Sequence, residues 1–167
     1  TQVLSESWIG RKVIHSSTNL TNAIFGNLTS NQNLIGSFHN ITALTSYIAS
    51  KSPDFVDLVA CSHYAKGSVA IEDISCAMLC QTLLQSVGSI PVNDLANNSL
   101  DKMSHCNFIP NLAAILEKIS IKEASGTYPE YRIADMRYCI ETKIVPVLLE
   151  IRRRGDNLME IVRVPSW

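Results

Sequence analysis

The sequence predicts an all-α fold: a single globular bundle of about six to eight helices spanning residues 1–167. Three observations carry this. Apolar residues recur at three- and four-residue steps in several windows, the helix period. Short polar connectors rich in Ser, Asn, Gly and Pro separate those windows. Period-two alternation is scarce. A composition of 46% hydrophobic residues with seven glycines and six prolines is globular, and 167 residues suffice for a full core.

The longest periodic stretch runs from Ile133 to Arg154. Ile133, Met136, Ile140, Ile144, Val147, Leu148 and Ile151 mark one face of a long C-terminal helix, and Pro146 kinks or splits it. Earlier in the chain, residues 1–16 form an extended N-terminal arm that Trp8, Ile9, Val13 and Ile14 anchor. Ser17 or Thr18 caps a first helix whose face is Leu20, Ile24, Phe25 and Leu28. The polar run 27–33 is a loop. A second helix starts near Ser37 and carries Phe38, Ile41, Leu44 and Ile48 to about Ser50. Ser52-Pro53-Asp54 has the capping chemistry of a third helix start, with Gly67 as its end. Ser68–Val87 forms a fourth, with Glu72 and Asp73 in its first turn. Shorter helices follow around Leu95–Met103 and Leu112–Ile119. Residues 156–167 form a last short helix or an extended arm, because IVRVPSW alternates. No fixed period repeats, which excludes a solenoid.

Net charge is −1, so no global field draws the chain to nucleic acid or acidic membrane. Its distribution is uneven. Residues 1–116 hold five Lys and Arg against seven acids, and residues 117–167 hold nine against eight. Val13–Ser50 has no charged residue, and Ser, Thr, Asn and Gln fill 18 of its 38 positions. A charge-poor surface suits contact with other copies or partners. The one basic concentration comprises Arg132, Arg137, Lys143, Arg152, Arg153, Arg154 and Arg163, candidate contacts to RNA or phosphate. The local net charge is only +1, so the same cations also suit a helix C-terminus.

No Walker, dinucleotide, nucleophile-elbow or zincin motif is present. An enzyme would have to assemble its groups in three dimensions from His39, His63, His105, Asp54, Asp57, Glu72 and Asp73. Cys61 with His63, and His105 with Cys106, have zinc-ligand chemistry but not zinc-finger spacing. No cofactor, metal or small-molecule substrate is expected. The five cysteines fit reduced thiols in an intracellular setting, and Cys76 and Cys80 fit core positions. No apolar run approaches the ~20 residues of a membrane span.

These features lead to a non-catalytic, self-assembling helical subunit, in the manner of a viral coat or nucleocapsid protein, intracellular or within a virion. Its partners would be other copies of itself and RNA bound by the basic C-terminal region. One alternative is an intracellular helical adaptor holding a protein partner in an apolar groove, without nucleic acid. The other is a secreted glycoprotein that uses Arg154-Gly155-Asp156 and the sequons at Asn19, Asn27, Asn40 and Asn97.

Overall fold

The structure, a computed structural model, describes residues 18–26, 31–61, 71–87, 138–142, 145–155 and 158–165. It is mixed α/β, which overturns the expected all-helical bundle. Three helices, α1 (Thr18–Gly26), α2 (Ile41–Lys51) and α3 (Ile71–Ser86), and a helical turn at 138–140 accompany three strands. The strands are β1 (Asn33–Ile35), β2 (Leu149–Arg153) and β3 (Met159–Arg163). They form one antiparallel sheet in the order β1-β2-β3. Ile151 is its central register point, opposite Asn33 on one side and Ile161 on the other.

The core is built on α2. Ile41, Ala43, Leu44, Thr45, Tyr47 and Ile48 are all buried, so this helix is enclosed on several sides. It packs against Cys80 and Leu84 of α3 and against Leu148 and Val164, which flank the hairpin strands. Each large apolar side chain so buried contributes about 1.5–3 kcal/mol. Enclosure also accounts for the lack of charge in this part of the chain, since a helix with little solvent-facing surface has little use for Lys or Glu. For residues 38–48 the uncharged composition therefore follows from the protein's own interior. Buried Thr45 donates its hydroxyl to the Ile41 carbonyl at 2.9 Å and so carries no unpaired polar group.

The helix ends where the sequence pattern suggests a new one. Ser52 lies in the left-handed region at φ 46°, and its N–H closes on the Ala49 carbonyl at 3.2 Å. It is thus a C-cap rather than an N-cap. Pro53 contributes because the residue before a proline is disfavoured in the α region. Residues 55–61 are not helical. Val56 packs against the core, while Phe55 and Val59 are exposed. α3 begins close to its predicted start and buries Ile74, Cys80 and Leu84, with Cys76, Leu79 and Leu83 packed alongside.

The long C-terminal helix is the main correction. Helix ends at residue 140, residues 145–148 are neither helix nor strand, and Leu149–Arg153 is strand β2. Pro146 does more than kink the segment: it lacks the donor a helix requires and biases Val145 toward extended backbone. Beyond it, Leu149-Glu150-Ile151-Arg152 alternates apolar and polar, as a half-buried strand does. Met159–Arg163 of the tail is β3, a strand paired into the sheet rather than the short helix or extended arm expected there. Gly155 turns the hairpin at φ 129°, and Arg154 donates its N–H to the Leu158 carbonyl at 2.8 Å. The expected arm at 1–16 and the expected helices between 91 and 119 lie outside the described residues.

Candidate functional site

The connection from β1 into α2 is the sequence Gly36-Ser37-Phe38-His39-Asn40. Gly36 is needed for close approach, because a Cβ there would lie 2.9 Å from Leu44 Cδ2. Asn40 precedes the first turn of α2 and is 7% exposed. Its carbonyl accepts the Leu44 N–H, but its side chain points back and joins three stretches of chain. Asn40 Oδ1 accepts from the Ser37 N–H at 2.8 Å and the Ser37 hydroxyl at 3.2 Å. Nδ2 donates to the Ile35 carbonyl at 3.0 Å and the Val147 carbonyl at 3.1 Å. Both amide donors and both acceptor lone pairs are thereby used.

His39 adds a second tie to the same C-terminal segment. Its carbonyl accepts the Val145 N–H at 3.1 Å, and its ring meets Tyr138 edge-on at 4.7 Å. Nδ1 lies 2.9 Å from the Glu141 carbonyl. A carbonyl only accepts, so Nδ1 carries a proton and donates in this contact. His39 and Asn40 together fix the loop against residues 138–147. The sequence marks Asn40 only as a sequon, with no hint of its burial.

The second feature is the start of α3. Glu72-Asp73 is the only acidic doublet in the chain, and it occupies the first helical turn, where the helix dipole favours negative charge. Glu72 is exposed and Asp73 half-buried. Asp73 acts electrostatically on Cys61, the last described residue of the non-helical segment 55–61. Burial pushes the Cys61 thiol up, and Asp73 adds to the effect. Of the other acids considered from sequence, Asp54 and Asp57 are exposed on the non-helical segment. His63 and His105 lie outside the described residues.

Burial, then the neighbouring Cys80 and then Asp73, pushes Cys76 up to about 12. Burial alone pushes Cys80 up to about 11. Cys61, Cys76, Cys80 and Cys139 are all free, and Cys76 and Cys80 are core-packed as expected. Both thiols therefore stay protonated at pH 8, and thiolate is the reactive form. Alkylation of the native protein at pH 8 should therefore mark exposed Cys139 well before Cys76 or Cys80. Peptide mapping by mass spectrometry checks the order, and early labelling of Cys76 would contradict it.

The predicted phosphate contacts are only partly brought together. Arg152, Arg153 and Arg154 lie on or directly after β2, not at a helix end, and Arg163 is exposed on β3 opposite Leu149. Arg152 is paired with Glu150 at 2.8 Å and Arg154 with Glu160 at 2.6 Å. Arg153 Nε donates to the Gly155 carbonyl at 3.0 Å. Arg132, Arg137 and Lys143 lie outside the described residues. Among the described residues no cluster of three His, Cys, Asp or Glu side chains has the arrangement of a metal site. None of their helices is long and apolar enough to cross a membrane. The buried, fully bonded Asn40 amide has no room for a glycan, which removes one support of the secreted-glycoprotein alternative.

A family model described as 2-phosphosulpholactate phosphatase matches residues 1–154. No curated protein and no solved structure matches the chain. The family match overturns the non-catalytic reading in each of its forms: coat or nucleocapsid subunit, adaptor and secreted glycoprotein. Nucleotide, serine-hydrolase and metalloprotease motifs do not reveal the enzyme class, because this chain carries none of them. With 154 of its 167 residues matched, the chain belongs to the 2-phosphosulpholactate phosphatase family.

Proposed function

We propose that the protein is a phosphatase that hydrolyses the phosphate monoester of a small sulphonated hydroxy acid of the 2-phosphosulpholactate type. Water attacks phosphorus, the ester P–O bond breaks, and the leaving oxygen takes a proton, giving the free hydroxy acid and inorganic phosphate. The family match over residues 1–154 carries this reading. We assign the proton transfer and the orientation of water to Glu72 and Asp73. Their support is the acidic doublet in the first turn of α3, with half-buried Asp73 acting electrostatically on Cys61. A carboxylate in such a role contributes roughly 10²–10⁴-fold. The free thiols among the described residues support an intracellular setting.

The test is phosphate release from 2-phosphosulpholactate by the full chain, with a simple aryl phosphate for comparison. The expected result is release by the wild type and a fall in kcat of at least ~100-fold in Asp73→Asn, with the folded structure retained by circular dichroism. No release from either ester by folded wild type would overturn the activity. Full activity in both Asp73→Asn and Glu72→Gln would overturn only the residue assignment.

The arginines enter this proposal as phosphate contacts rather than as an RNA site. Glu150 and Glu160 compete with a phosphate for Arg152 and Arg154. The Arg154–Glu160 pair is exposed on both sides and such pairs are worth only ~0–1 kcal/mol, so a substrate would displace it readily. Replacing Arg152, Arg153 and Arg154 together with Gln should raise KM about tenfold or more if they hold the substrate phosphate. A KM within twofold of the wild type would remove them from the site.

A further inference from the structure

We draw no further inference here: the strongest candidate, the exposed apolar patch of Phe55, Leu58 and Val59 on the extended segment between α2 and α3, carries nothing because nothing in the structure shows what covers it.

Discussion

A chain cut after Arg154 should lose cooperative thermal unfolding. That cut keeps the whole span of the family match and removes only residues 155–167, which include β3. Yet β3 pairs with β2 along its full length, from Leu149 opposite Arg163 to Arg153 opposite Met159. Just beyond it, Val164 is 8% exposed in the core cluster and donates its N–H to the Leu148 carbonyl at 2.9 Å. Removing a buried valine forfeits about 1.5–3 kcal/mol. Each lost ladder bond forfeits about 0.5–1.5 kcal/mol more, and β2 becomes an edge strand held only by β1. The total is about 5 kcal/mol or more, comparable with the whole stability of an ordinary domain. Melting monitored by circular dichroism checks this. A truncated protein melting cooperatively within a few degrees of the full chain would show that the C-terminal strand is dispensable.

Asn40→Ala should destabilise the protein by about 3–5 kcal/mol, because it strands several polar groups at once. The Ser37 N–H, the Ile35 carbonyl and the Val147 carbonyl all lose their side-chain partner. Each such group costs roughly 1–3 kcal/mol when left unmet away from water, and partial access of water keeps the sum below the maximum. Asn40→Asp makes the comparison sharper. It keeps an oxygen for Ser37 but replaces the two donated bonds with repulsion between a carboxylate and two carbonyls. It should therefore be at least as damaging as alanine despite its near-identical shape. Urea midpoints for both variants measure this, and a loss under 1 kcal/mol in Asn40→Ala would mean that water satisfies the three backbone groups.

The helices are legible in the sequence because each is long enough to repeat its period. α1, α2 and α3 fall within a few residues of their expected places, since two or more turns of apolar spacing and polar breaks mark them. The strands are not legible, for separate reasons. β1 is three residues long, too short to show alternation. Around β2, Val147 and Ile151 are four apart, a spacing shared by one turn of helix and two steps of strand, so the run from Ile133 disguises the change of period. Pro146, which fits a kink on sequence grounds, marks a boundary. Ser52-Pro53-Asp54 carries the residues of a helix start, but the left-handed Ser52 that ends α2 cannot be seen from residue identity. As for the site, Glu72 and Asp73 are visible as acids in a helical first turn but have no motif to give them a role. Asn40 is masked by its own sequon, because the bonds that define it run to carbonyls 5 and 107 residues away.

The hairpin also bears on how the protein avoids aggregation. Among the described residues the sheet has two edges, β1 and β3, and an open edge is a template for strand addition by another chain. Neither is an easy template. β1 offers three residues. β3 offers five, interrupted by Glu160 and Arg163, and Pro165 comes soon after with no N–H to extend a ladder. Glu160, held by Arg154, keeps a charged pair on that strand's surface. Short, charged, proline-stopped edges of this kind let the strands stabilise the fold without recruiting neighbouring molecules.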